Sequence, residues 1–282
     1  MVADAPEAGE RTMRRTERIV RLTRELLAHP GAPLSLTDIA TQFDAAKSSI
    51  SEDLAIIRTV MEEDGDGALR TQTGAAGGVE WRADLAGTRA RAFADSAMAR
   101  LSDGERILPG GYLYMSDLLG EPEVLRLAGR MFAGMFADVE PDLVLTVETK
   151  GIPLAVMTAQ YLSCPFVVAR RDHKWSEGSS VSTNYVSGSD HRIQSMSLSK
   201  RSIRAGARVL VIDDFMKAGG TVKGLMSLVR EFSAHVVGTG VFMATTQPVN
   251  KLVADYVSLL SLTAVDEATR QVVIEEGTYF PD

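Results

Sequence analysis

The chain contains one cysteine, Cys164, and four histidines scattered among its 282 residues. A single cysteine excludes an internal disulfide framework and is typical of the reducing cytosol, so we predict a cytoplasmic protein. Histidines without the spacing of metal ligands predict no metal site. No apolar run in the chain approaches the length of about 18 residues that a membrane-spanning helix needs. Its N-terminus is too polar and acidic for a signal peptide.

Positive charge is also in deficit, because 30 lysines and arginines stand against 37 acidic residues and give a net charge of −7. This balance argues against a generally nucleic-acid-binding surface. The exception is the segment 11–24, where six arginines are opposed only by Glu17. The members that share one helical face are Arg11, Arg14, Arg15 and Arg18. Such a face is either solvated surface or a contact for phosphates, and charge alone does not separate the two.

The first 83 residues predict a helix-turn-helix. Residues 1–10 are polar and predicted to be disordered, and a helix is predicted over about 11–27. Ser35 and Asp38 belong to a capping box that opens a short second helix. A third helix, predicted over 46–61, exposes small polar residues and a lysine in its first turns. These are Lys47, Ser48, Ser49 and Ser51. Small side chains allow close approach to a DNA groove, and hydroxyls bond phosphates or base edges.

A glycine-tipped hairpin follows this third helix. Strands are predicted at 68–73 and 79–82, with Gly74 to Gly78 between them and with Arg70 and Arg82 beside them. A helix-turn-helix followed by such a hairpin is typical of a winged-helix DNA-binding domain. We therefore predict this domain over 1–83 and a second domain over 84–282.

The second domain alternates apolar runs with helical patterns. Strands are predicted at 143–147, 165–169, 209–212 and 236–244, with an added edge strand at 256–265. Helices are predicted at 87–101, 123–136, 152–162 and 221–232. This alternation predicts an α/β domain with a mostly parallel sheet and helices on both faces.

The most informative segment follows the strand at 209–212. It comprises Asp213, Asp214, Phe215, Met216, Lys217, Ala218, Gly219, Gly220 and Thr221. Two carboxylates at the end of a buried strand can accept bonds from sugar hydroxyls, and open α/β sheets bind ligands at that end. The glycine pair lets the backbone approach a phosphate, and a helix opening at Thr221 supplies amides and a dipole that favour an anion. The combination suits a ribose 5-phosphate, whereas a solvated acidic turn would explain the acid pair alone.

This segment resembles the phosphoribosyl-diphosphate motif of type I phosphoribosyltransferases. The resemblance implies that Asp213 and Asp214 hold the ribose hydroxyls and that the following loop holds the 5-phosphate. Thr149, Lys150 and Gly151 follow another strand, where these transferases keep the loop that binds pyrophosphate.

Two more groups of polar residues fit the same site. After the strand at 165–169 come the cations Arg170, Arg171 and Lys174, which suit a polyphosphate. A long polar stretch, 176–201, predicts a mobile flap or long hairpin over the site. The flap residues that we assign to the ligand are Tyr185, Ser187, Gly188 and Ser189. For each cation, an ordinary surface position remains an open alternative.

Over about 11–280 the chain resembles the bacterial purine operon repressors, which combine a winged helix with a transferase-like domain. Matching strings stand at 106–112, 149–153, 184–189 and 213–221. The resemblance implies a homodimeric repressor of purine biosynthesis and transport genes, whose grip on double-stranded promoter DNA is released by phosphoribosyl diphosphate. It implies that a regulatory purine nucleotide competes for the pocket, and it leaves open whether Mg²⁺ accompanies the ligand.

Lys217 favours a sensor over an enzyme. Several purine-salvage transferases carry a carboxylate at this position, and a charged lysine does not replace it as an acid or base. We therefore predict a ligand sensor without catalytic residues. Phe215 either stacks on a base or packs under the loop, and Tyr112 either reaches the ligand or packs in the core. The alternatives are an active purine phosphoribosyltransferase with an appended DNA-binding domain, or a dimerisation scaffold with a vestigial pocket.

Overall fold

The computed structural model describes residues 13–72, 78–171, 178–186 and 193–281. These residues divide into two compact units, with the division between Arg82 and Ala83. The predicted disorder of residues 1–10 and most of the predicted glycine-rich hairpin tip fall outside the described residues. Within the described parts of the chain, no helix combines the length and the apolar composition that crossing a bilayer requires.

The N-terminal unit contains three helices and a small sheet. Its elements are α1 (Arg15–Ala28), β1 (Leu34–Ser35), α2 (Leu36–Gln42), α3 (Lys47–Glu63), β2 (Ala68–Gln72) and β3 (Gly78–Arg82). The sheet is antiparallel with the order β1-β3-β2. Ser35 caps α2 by accepting a bond from the amide of Asp38 at 3.3 Å, as the capping box predicts. The winged helix-turn-helix prediction is confirmed.

Apolar residues at helical spacing hold this unit together. Leu22 and Leu26 of α1 face Ile50, Leu54 and Ile57 of α3, and all of them are buried. Burial of such side chains contributes about 1.5–3 kcal/mol each. The periodicity therefore places most polar residues of both helices on the outside, while Asp53 of α3 is buried.

The second unit is built around one large sheet. Its elements are α4 (Gly87–Leu101), β4 (Ile107–Leu108), β5 (Tyr112–Leu113), α5 (Pro122–Phe136), β6 (Leu143–Val147), α6 (Ile152–Tyr161), β7 (Phe166–Ala169), β8 (Ser180–Val186), β9 (Ile193–Ser199), β10 (Arg208–Met216), α7 (Gly220–Glu231), β11 (His235–Thr245), β12 (Val257–Asp266) and β13 (Gln271–Glu276). The main sheet has the order β13-β12-β11-β10-β6-β7. Its neighbours pair in parallel except β12 with β13.

Two apolar cores cover the two faces of this sheet. On one face, residues of α4, α5 and α6 pack together, with Phe132 and Phe242 among the fully buried side chains. On the other face, α7 and the hairpin β8–β9 pack through residues such as Leu225 and Met196. The α/β architecture with both faces covered is therefore confirmed, and the polar stretch at 176–201 contains the long hairpin.

Two sequence predictions need correction, and one hairpin was missed. Strand β10 continues through Met216, so the acid pair lies inside the strand and not after it. Strand β12 is not an edge strand, because β13 pairs along its outer side. The hairpin β4–β5 was not predicted, since each strand has two residues and gives no periodic signal.

Candidate functional site

The second unit contains a cavity of about 650 Å³ at the carboxyl ends of its parallel strands. The chain runs from β6 outward to β7, and from β10 outward to β11 and β12. The strand order therefore reverses between β6 and β10, and open α/β sheets bind ligands at such a switch point. The segments after β6 and at the end of β10 both line the cavity.

The acid pair lies at the floor of this cavity. Successive residues of a strand point to opposite faces, so Asp213 is buried with 4% of its surface exposed while Asp214 is partly exposed. One oxygen of Asp213 accepts a bond from the amide of Asp214 at 3.0 Å. Burial, and secondarily the charge of Asp214, raise the pKa of Asp213 well above its ordinary value. The two carboxyls therefore differ in burial, and Asp214 is the one placed to accept bonds from hydroxyls.

The loop after β6 packs tightly against the acid pair. Glu148, Thr149 and Lys150 line the cavity, whereas Gly151 does not. A methyl group on Gly151 would lie 2.6 Å from Oγ1 of Thr146 and 2.8 Å from Oδ1 of Asp213. Real Cβ atoms do not approach so closely, so glycine is required for the loop to sit against β10.

The segment after β10 has the geometry of an anion site. Residues 217–220, which we name the phosphate loop, line the cavity and lead into α7. Gly219 adopts φ 83°, a left-handed conformation that glycine adopts without strain. The first turn of α7 contains no acidic residue and no side chain caps it. Its free amides and dipole therefore favour an anion, and Thr221 stands at this helix start as predicted.

Among the described residues, three cations line the cavity, namely Lys150, Arg171 and Lys217. Arg170, which we predicted to bind the ligand, does not line it. Its backbone pairs with Ser197, and its guanidinium lies 3.7 Å from Glu148. Sequence spacing gives both arginines equal weight, but the strand alternation turns their side chains apart. Lys174 lies outside the described residues.

The flap contributes through a residue that the sequence did not identify. Tyr185 of β8 is buried against Gly224 of α7 and does not line the cavity. Its hydroxyl donates a 2.7 Å bond to Oε1 of Gln194, and Gln194 of β9 does line the cavity. Tyr185 thus supports Gln194 and has no contact of its own with the cavity. The other predicted flap residues, Ser187, Gly188 and Ser189, lie outside the described residues.

The remaining wall is mostly apolar. It comprises Leu108, Tyr112, Leu113, Met115, Phe215 and residues 262–265. Tyr112 lines the cavity and has about half of its surface exposed. Phe215 lines the cavity and also packs on the core, so stacking and packing are compatible. Among the described residues of this wall there is no carboxylate, and a flat aromatic base would find apolar contacts.

The described residues contain no group of three or more histidine, cysteine or acidic side chains placed to hold a metal ion. Mg²⁺ is commonly held by one or two carboxylates together with ligand phosphates. Asp214, with the diphosphate of a bound ligand, fits that pattern.

The basic face of α1 is only partly available as a surface. Arg18 donates a 2.8 Å bond from Nε to Asp53 of α3, and only 14% of its side chain is exposed. Arg15 donates to the other oxygen of Asp53 at 3.1 Å but keeps 54% of its side chain exposed. Asp53 itself is fully buried. Arg18 therefore joins α1 to α3, whereas Arg14 and Arg15 face solvent. Arg11 lies outside the described residues.

The start of α3 presents the predicted polar surface. Lys47, Ser48 and Ser51 are exposed and Ser49 is partly buried. The first turn of α3 contains no acidic residue. Arg70 is exposed on β2. Arg58 of α3, which is absent from the predicted residues, donates a 3.2 Å bond from Nη2 to Oγ1 of Thr71 on β2.

The fold defines a protein that combines a winged-helix unit with a phosphoribosyltransferase-type α/β unit. A family model described as "Bacterial purine repressor, N-terminal" matches residues 14–83. A model of the "Phosphoribosyl transferase domain" matches residues 115–276. The chain is 48% identical over 266 residues to the purine biosynthesis transcriptional repressor PurR of Bacillus subtilis, covering 94% of this chain and 93% of that one. The chain belongs to the bacterial purine repressor family.

Other relatives extend this comparison. The purine biosynthesis transcriptional activator PurR of Lactococcus lactis is 41% identical over 96% of this chain and its own full length. A xanthine phosphoribosyltransferase of Deinococcus deserti is 33% identical over 48% of this chain and 72% of its own. The crystal structure of an adenine phosphoribosyltransferase from Thermoanaerobacter pseudethanolicus superposes with a TM-score of 0.52 at 20% identity, covering 59% of this chain and 98% of that one. This last similarity concerns the fold.

Proposed function

We propose that the protein represses purine genes by binding their promoters through the N-terminal unit, and that phosphoribosyl diphosphate in the cavity releases it from DNA. The observation that supports this choice of ligand is the cavity itself. It joins a partly exposed carboxylate, Asp214, to an uncapped helix start and three cations. A ribose with phosphate at one end and diphosphate at the other supplies a partner for each group.

The chemistry of the ligand matches the two ends of the cavity. The 5-phosphate contacts the phosphate loop and the start of α7, where amides favour an anion. The diphosphate lies against the loop after β6, near Lys150 and Arg171. The two ribose hydroxyls donate to Asp214. A regulatory purine nucleotide that shares the ribose phosphate competes for the same groups and adds a base against the apolar wall.

The DNA-binding role rests on the exposed polar start of α3 and on Arg14 and Arg15. Cations on α1 contact phosphates, which position the protein without reading sequence. The start of α3 enters the major groove, as in other winged helices. We propose that the bound protein represses transcription, in line with the name of the Bacillus subtilis relative. Activation, the role named for the Lactococcus lactis relative, is the outcome to test against it.

Ligand and DNA influence each other equally in this scheme. Coupling between two binding sites is reciprocal. Bound DNA therefore lowers the affinity for the ligand by the same factor by which bound ligand lowers the affinity for DNA. A coupling of about 1–3 kcal/mol gives a several-fold to hundredfold change in affinity. We propose that the protein acts as a homodimer, which suits operators with two half-sites.

The second candidate is an active purine phosphoribosyltransferase, favoured by the identity to the xanthine enzyme. Against it, Lys217 lines the cavity where an acid would assist catalysis, and the described apolar wall offers no carboxylate. One paired experiment separates the candidates. Binding to promoter DNA of purine genes is measured by fluorescence anisotropy with and without phosphoribosyl diphosphate, beside a turnover assay with free purines. Release without turnover supports the sensor, whereas turnover of any purine contradicts it.

A further inference from the structure

The phosphate loop is supported from behind by residues 245–253, which we name the support loop. It follows β11 and carries Lys251. The ammonium of Lys251 donates a 2.7 Å bond to the carbonyl oxygen of Lys217 in the phosphate loop. Within the support loop it also contacts the carbonyl oxygen of Pro248 at 3.3 Å and Oγ1 of Thr245 at 3.4 Å. Three acceptors thus match the three donors of an ammonium group.

A second bond joins the two loops at the next peptide. The amide of Leu252 donates to the carbonyl oxygen of Ala218 at 2.9 Å. Val253 lies beside Gly219, where a methyl group would meet its amide nitrogen at the van der Waals distance of 3.4 Å. Two successive carbonyl groups of the phosphate loop are therefore held by the support loop.

Holding these carbonyls fixes the amides that follow them. In a trans peptide the C=O of one residue and the N–H of the next point in opposite directions. The bond to Lys217 O therefore sets the direction of the Ala218 amide, and the bond to Ala218 O sets that of Gly219. Both residues line the cavity, while Lys251 does not. The positive charge on the carbonyl side also polarises the Lys217–Ala218 peptide and strengthens its amide as a donor to an anion.

We propose that Lys251 is a positioning residue that orients the amides of the phosphate loop toward the 5-phosphate of the ligand. The inference rests on the proposed function, because it assigns the phosphate loop to that group. It predicts a selective effect. The affinity of a ligand that binds the phosphate loop depends on Lys251, whereas the affinity of a ligand held by the loop after β6 does not.

The test uses the full chain and two probes, ribose 5-phosphate and inorganic pyrophosphate, titrated by calorimetry. Lys251→Met removes the charge and the donors at similar length, and Lys251→Arg keeps both. Lys200→Met removes one exposed lysine elsewhere in the second unit and serves as the control. We expect Lys251→Met to bind ribose 5-phosphate about tenfold more weakly, the effect of losing one bond to a charged group. Pyrophosphate affinity stays unchanged, Lys251→Arg recovers most of the loss, and Lys200→Met behaves as wild type.

Two results would overturn the inference. One is unchanged affinity of Lys251→Met for ribose 5-phosphate. The other is an equal loss for both probes, which marks a general scaffold residue. If Lys251→Met does not fold, Lys251→Gln is judged by the same two probes. A wild-type protein that binds neither ribose 5-phosphate nor phosphoribosyl diphosphate refutes the proposed function, whereas a wild-type protein that binds both leaves only the role of Lys251 in question.

Discussion

Arg18 and Asp53 form a buried ion pair, with Nε of Arg18 2.8 Å from Oδ2 of Asp53, and this pair joins α1 to α3. Asp53 also accepts a bond from Arg15, so one carboxylate binds two arginines of the predicted basic face. The pair separates the arginine that holds the winged helix together from those that remain available at its surface.

Asp53→Ala should destabilise the N-terminal unit by about 3 kcal/mol, because it leaves the mostly buried charge of Arg18 without its partner. The measurement is denaturant unfolding of the full chain. Glu63→Ala removes an exposed acid from the same helix and should have little effect. Equal stability of Asp53→Ala and wild type would show that this pair contributes nothing to the unit.

Arg14→Ala and Lys47→Ala should each weaken DNA binding across all sequences and lower the salt slope by about one, because each side chain is expected to contact a phosphate. Binding is measured over a series of salt concentrations. Lys200→Ala, which removes a charge in the second unit, is the control. A slope that does not change would remove the residue concerned from the DNA contact.

Asp214→Ala should bind phosphoribosyl diphosphate about ten- to hundredfold more weakly, since the ribose hydroxyls lose their carboxylate acceptor. The variant should therefore stay on promoter DNA at ligand concentrations that release the wild type. Asp95→Ala, an exposed acid on α4, controls for the lost charge. Normal release of Asp214→Ala from DNA would place the ribose elsewhere.

Asp213→Asn should raise thermal stability at neutral pH. Burial raises the pKa of Asp213 in the folded protein above its ordinary value of 3.8. The unfolded chain therefore loses this proton at lower pH than the folded chain, and stability falls as pH rises from about 3.8 through the raised pKa. The gain from Asp213→Asn should be largest above that raised pKa and absent in acid. Thermal unfolding of both proteins across this range measures it, and a gain that is constant with pH would contradict the assignment.

Gly151→Ala should destabilise the second unit by about 1–3 kcal/mol and weaken pyrophosphate binding, because the added methyl group overlaps Thr146 and Asp213. Gly120→Ala is the matched control, since a methyl group there meets nothing within 4 Å. Calorimetry with pyrophosphate and thermal unfolding give the two readings. If both glycine variants behave alike, the close packing at Gly151 is not what fixes the loop.

Much of the fold follows from local pattern. Both α4 and β6 were predicted with their observed bounds, 87–101 and 143–147. The capping box at Ser35 marks the start of α2 because a side-chain oxygen satisfies a free amide wherever a helix begins. Elements too short for periodicity, such as β4 and β5, escape this reasoning.

The ligand site was predicted through its contiguous strings and was incomplete where residues far apart in sequence meet. The segment 213–221 lines the cavity throughout. Gln194 and the wall at 262–265 also line it, but they are absent from the predicted set. Conversely, Arg170 and Tyr185 have suitable chemistry and point elsewhere.

The sequence by itself determined the two-unit architecture, the parallel sheet and the acid pair beside a phosphate loop, because hydrophobic period, glycine and capping chemistry act over a few neighbouring residues. Only the tertiary structure decided which side chains line the same cavity. It assigned Arg18 to Asp53, and it brought Lys251 against the carbonyl of Lys217 across 34 residues of chain. Such pairings depend on strand order and on which face of a strand or helix each residue occupies, and these are fixed by packing between distant elements.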